Sequence, residues 1–171
     1  TKTGKLELTN DASLLPGTAT IVNVDGATLV SGGTVDVTAR GTSVVFPSVK
    51  IADITGAVTF YVKYEPKTSY AITDFAEAVV DSGNKWETVS TPDPAVEGEE
   101  ITITLTASND AAVVEQDVIV KVESNGAPVA LLENSDGKFH VDAGATSTAL
   151  TTTFKFTMPA GAVTITVEAA P

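Results

Sequence analysis

The chain has 171 residues, with 22 acidic against ten basic side chains, a net charge of −12 and a pI near 4.3. Arg40 is the only arginine and lysines do not cluster, so nucleic acid and anionic membranes, which need a basic footprint, are excluded as partners. No cysteine is present, so disulfides, thiolate catalysis and cysteine-based zinc sites are excluded as well; no apolar run approaches the ~18 residues of a membrane span.

A chain this long buries roughly 70% of its unfolded surface and needs no covalent staples. Threonine (26) and valine (23) dominate, and β-branched side chains at that density favour pleated, half-buried surfaces. An all-β fold is expected, a β-sandwich of Ig-like or jelly-roll type, in two units. The chain begins at Thr1 and its single methionine is Met158, which fits signal-peptide removal or an internal boundary of a longer chain. Acidity and the lack of cysteine fit an extracellular, cell-surface protein.

In chain order, "KLELT" (Lys5 to Thr9) is a short strand followed by the loop "NDASLLPG". "TATIVNV" runs to Asp25-Gly26, a dipeptide favoured in hairpin turns. "TLV" breaks at Ser31-Gly32-Gly33, and "TVDVTAR" runs to Gly41. "SVVFP", "VKIADI" and "AVTFYVKY" follow, the last with Val58, Phe60, Val62 and Tyr64 on one face. Strands at such spacing with glycine-rich punctuation mean a sandwich or barrel. One segment breaks the pattern. "TDFAEAVVDSGN" sets Asp74 three residues before Glu77, as a capping box requires, and predicts a short helix near 74–81, with a strand from Ala76 to Val80 as its competitor. "STPDPAVEGEE" (Ser90 to Glu100), rich in proline and acid, is the expected boundary, giving domains 1–89 and 90–171.

Beyond it lie "ITITLTA", "DVIVKVE", "PVALLE", the turn "NSDG", "KFHVD", "TTTFKFTM" and the closing "AVTITVEA", whose Val163, Ile165 and Val167 share a face. The core is expected to hold Val58, Phe60, Val62, Ile101, Ile103, Leu105, Val118, Val120, Phe154, Phe156, Val163, Ile165 and Val167.

Residues 95–170 resemble bacterial surface repeat modules that end in F-T-M-P-A-x-x-V-T-V. Gly98, Glu99, Ile101, Thr102 and Ile103 match the opening strand, Val118 to Val122 with Asn125-Gly126 the central one, and Phe156 to Ala160 the closing corner. The chain departs from the pattern where such modules often carry G-[YF]-x-F-x-x-W; it has "SNDAAVVEQD" there. The resemblance implies a small sandwich from large secreted, wall-attached or surface-layer proteins, and no catalysis. The first 90 residues resemble no such module.

Material for chemistry is thin. His140 is the only histidine and sits in a strand with Asp142 two residues on, which a structural ion pair explains better than a catalytic triad. Glu97, Glu99 and Glu100, or Asp74 and Glu77, could pair as carboxylates for glycoside hydrolysis, but a sugar cleft also needs aromatic walls. No enzymatic activity and no cofactor are expected. Calcium is the one ion to consider, with Glu133, Asn134, Asp136 and Asp142 as candidate oxygen ligands, and Asn109, Asp110, Glu115 and Asp117 as a second acidic group. Neither group has EF-hand spacing, and Asn-Ser-Asp-Gly is also plain turn chemistry.

Two functions from different classes emerge. The first is a structural subunit of a prokaryotic extracellular assembly: a filament, pilus-like fibre or surface layer, with the chain itself as partner. The second is an adhesin or carbohydrate-binding module for glycan or host surface, using Tyr61, Tyr64, Tyr70 and Trp86. For the first, the arm "TKTGKLELTND" has only Leu6 and Leu8 as anchors and no hairpin partner. It reads either as a donor strand carrying Lys5, Leu6 and Leu8 into the next subunit, or as the ordinary first strand of its own sandwich.

Overall fold

A computed structural model describes residues 1–9, 14–80, 83–142 and 149–171. They form eighteen strands and no helix. The chain divides into two units, Thr1–Thr68 and Ser69–Pro171.

The first unit contains β1 (Lys2–Leu8), β2 (Gly17–Asp25), β3 (Thr28–Ser31), β4 (Thr34–Val37), β5 (Val44–Ala52) and β6 (Thr59–Pro66). They make two antiparallel three-stranded sheets, β1-β5-β3 and β4-β2-β6. The inner faces share a core of Ala19, Ile21, Val37, Val44, Phe46 and Val49. Alternation explains who faces inward: Phe60, Val62 and Tyr64 of β6 pack against that core half-buried, while Lys63 and Glu65 face water and pair at 2.6 Å. Val58 is half-buried just before β6. Asp25-Gly26 does turn the chain, with Gly26 at φ +77° and its would-be Cβ 2.1 Å from the Ala57 carbonyl. The turn is no hairpin within one sheet, because β2 pairs with β4 and β6 and the chain crosses to the other sheet for β3.

The second unit starts about twenty residues earlier than its composition suggests. It holds β7 (Ser69–Tyr70), β8 (Ile72–Thr73), β9 (Ala78–Val79), β10 (Lys85–Thr91), β11 (Ala95–Val96), β12 (Glu100–Ser108) and β13 (Gln116–Ser124). β14 (Ala127–Pro128), β15 (Leu131–Glu133), β16 (Lys138–Val141), β17 (Leu150–Thr157) and β18 (Val163–Ala169) complete it. One sheet runs β15-β17-β12-β10-β9; the other runs β14-β13-β18-β8, with β16 also on β13; β11 and β7 make a short pair. The remaining expected core residues, from Ile101 to Val167, are all buried here.

The proline-rich stretch is therefore not a linker. Ala95 and Val96 are fully buried on β7, and Ile72 and Trp86, expected in the first domain, belong to the second core. The expected helix is also absent. Asp74 does not cap a turn of helix; its carboxylate accepts from the Ser90 N–H (3.0 Å) and hydroxyl (2.7 Å). Phe75 N–H donates to the Thr88 hydroxyl at 2.7 Å, and Ala78–Val79 pair with Lys85–Trp86. Partners across the sheet outcompete a local cap, and the competing strand is realised in part; residues 81 and 82 lie outside the described ones. The Phe-Thr-Met-Pro-Ala corner locks onto the opening strand: Gly98 N–H donates to the Met158 carbonyl (2.9 Å) and Met158 N–H to that of Glu99 (2.8 Å), with Met158 buried.

Candidate functional site

The arm at the start of the chain has a partner after all, one distant in sequence. β1 lies antiparallel on β5, with Leu8 opposite Val44, Leu6 opposite Phe46, Gly4 opposite Val49 and Lys2 opposite Ile51. Leu6 and Leu8 pack half-buried on the core, and Lys5 Nζ pairs with Glu7 at 2.7 Å on the exposed surface. That ammonium holds the Glu7 carboxyl below its ordinary range, first by hydrogen bonding and then by charge.

The inward row of β1 thus runs Leu, Leu, Gly, Lys. Its second half cannot fill the space over β5. A cavity of about 300 Å³ remains there, lined by Lys2 to Leu6, Val49, Ile51 and Phe60, and a side chain at Gly4 would meet nothing within 4 Å. β1 and β6 are edge strands of the two different sheets. Of the residues singled out in the arm, Leu6 and Leu8 face the core and Lys5 faces Glu7 on the outer side of the strand. Lys2, Gly4, Val49, Ile51 and Phe60 were missed, because the β1–β5 pairing is long-range. Only the parity of Leu6 and Leu8, carried back to Gly4, points at the gap.

The other candidates are placed differently. Glu133, Asn134 and Asp136 share one turn, but each has local work. Glu133 sits opposite Lys155, Asn134 takes φ +51° with its carbonyl accepting from Gly137 N–H at 2.7 Å, and Asp136 accepts from Lys138 N–H at 3.2 Å. Asp142 is drawn to His140 Nε2 at 3.2 Å, while Asp117 holds Nδ1. The two carboxylates bind opposite ring nitrogens, so they do not converge on one point. The hydrogen bond to Asp117 raises the His140 pKa above its ordinary value; loss of hydration, the next effect in size, opposes it, and the Asp117 charge and Asp142 add smaller raises. In the second acidic group, Asp110 pairs with Lys85 at 3.2 Å and Asn109 caps Ala111 N–H at 3.0 Å. No three histidine or acidic side chains gather as a metal site among the described residues. Of the carboxylates weighed for glycoside chemistry, Glu99 accepts from Val96 N–H at 2.8 Å and Glu100 pairs with Lys155 at 2.9 Å.

The four aromatics form no platform. Tyr61 is exposed and donates to Asp25 at 2.9 Å, whereas Tyr64 points to the opposite face of β6 and into the first core. Tyr70 and Trp86 belong to the second unit; Trp86 is fully buried, donates Nε1–H to Gln116 at 3.0 Å and meets Phe139 edge-on. Compared with family models, with curated proteins and with solved structures, the chain matches none.

Proposed function

We propose that this chain is a structural subunit of a prokaryotic extracellular assembly, a filament, pilus-like fibre or surface layer, and that copies join through β1. The observation that carries this reading is the place of β1. It is a seven-residue edge strand, anchored by two half-buried leucines and leaving part of its groove empty. A neighbour's β1 makes the same main-chain bonds to β5 and the same Leu6 and Leu8 contacts, so exchange between copies conserves the pairing. The resemblance of residues 95–170 to surface repeat modules supports the cell-surface setting, and the reading assigns the chain no catalysis. An adhesin reading draws less support, since three of its four aromatics turn inward.

Deletion of residues 1–10 tests the joint. Sedimentation should show loss of polymer while circular dichroism still reports a folded β protein. Polymer that survives the deletion overturns strand exchange, and an unfolded first unit assigns β1 to its own sandwich alone.

A further inference from the structure

The net charge is divided unevenly. The first unit carries six basic and six acidic residues, the second four basic and sixteen acidic, so the whole −12 lies on the second unit. Two second units brought together repel; a second unit and a first unit do not. Like-charge juxtaposition is how surfaces reject wrong partners. Contacts between copies are thereby biased to be heterologous, and a heterologous contact repeats into an open chain or a ring.

The first unit offers one place suited to an acidic partner. The cavity beside β1 has an apolar floor of Leu6, Val49, Ile51 and Phe60 and Lys2 at its rim, while the Lys5 side chain turns to the other face of β1 and pairs with Glu7. Lys2 has no ion pair among the described residues. An occupant should thus bring an apolar side chain flanked by carboxylates. On the second unit, Leu132 meets that description. It is the extra residue in the register between Leu131 opposite Phe156 and Glu133 opposite Lys155, on the edge strand β15. Such a bulge re-aims its side chain, and Leu132 is 53% exposed, with Glu133 beside it and Asp136 in the turn that follows. The other large apolar side chains exposed among this unit's described residues are the valines Val79, Val89 and Val114, which reach less far.

We propose that the cavity beside β1 seats the β15 edge of a second copy, with Leu132 entering the cavity and Glu133 and Asp136 meeting Lys2. This rests on the reading of the chain as a self-assembling subunit, and it names the contact that sets the direction of assembly. Being rim electrostatics over an apolar anchor, the contact weakens with salt.

The test is a charge swap in the full chain, read by sedimentation, with thermal melting as a fold control. K2E and E133K/D136K should each weaken assembly by about tenfold or more, since the facing charges turn from attraction to repulsion. One chain carrying all three substitutions should recover most of the parent's assembly. Leu132→Ser should weaken assembly with its salt dependence unchanged. One-sided reversals without effect, or a three-substitution chain that melts like the parent and stays weakened, overturn the contact. If the parent assembles normally through those results, strand exchange stands and only this contact falls. If the parent never assembles, the self-assembly reading falls and takes this contact with it.

Discussion

The two units solve the same problem with different reserves. The second buries eighteen residues in one core, among them Trp86, Phe154, Phe156 and Met158. The first buries six, and around them nine apolar side chains, including Phe60, Val62 and Tyr64, are only half-covered. A small domain has too much surface for its volume, so the six-stranded sandwich leaves a larger share of its apolar side chains half-covered than the larger unit does. The unit with the deeper core also carries all the net charge.

Core truncation should show the contrast most strongly. Phe154→Ala in the fully buried core is expected to cost about 3–5 kcal/mol in denaturant unfolding, while Phe60→Ala, half-exposed and already beside a cavity, should cost about half as much or less. Equal costs would erase the distinction between the cores. Next in size is Asp74→Ala, which removes two hydrogen bonds from part-buried Ser90. A loss of about 1–3 kcal/mol confined to the second unit's transition is expected; no loss would mean that water replaces the carboxylate freely. Gly4→Val should do the opposite in the first unit. The new side chain meets open space and replaces a strand glycine, so a gain of about 0.5–1 kcal/mol is expected. A destabilised variant would show that the cavity beside β1 is not open to a side chain.

The smallest effect is one of pH. His140 has a raised pKa in the folded state, so its stabilising contribution is complete below its ordinary value of 6.5 and is lost as pH rises through the raised one. The second unit's melting temperature should drift slightly downward over that interval. His140→Gln should abolish the drift, and the first unit, which has no histidine, should show none. An upward drift, or one that survives the substitution, contradicts the Asp117–His140–Asp142 arrangement.

Much of the architecture was legible because a strand reports itself locally. Period-two alternation in "ITITL" and "AVTITVEA" marks Ile101, Ile103, Leu105, Val163, Ile165 and Val167 as inward, and all six are buried. Misreadings occur where a local signal met a distant partner. Asp74 and Glu77 have capping-box spacing, but Ser90 claims the Asp74 carboxylate. "STPDPAVEGEE" has a linker's composition, yet its Ala95 and Val96 fill the core. The candidate site was half visible. Leu6 and Leu8 stand out in the arm, whereas the floor of the groove comes from β5 and β6, which no local pattern ties to β1.

Negative-stain microscopy of the purified full chain, concentrated at low salt, tests the central claim most directly. Filaments or lattices with a regular repeat are the expected result. Dispersed single particles at every concentration and salt would contradict a structural, self-assembling subunit.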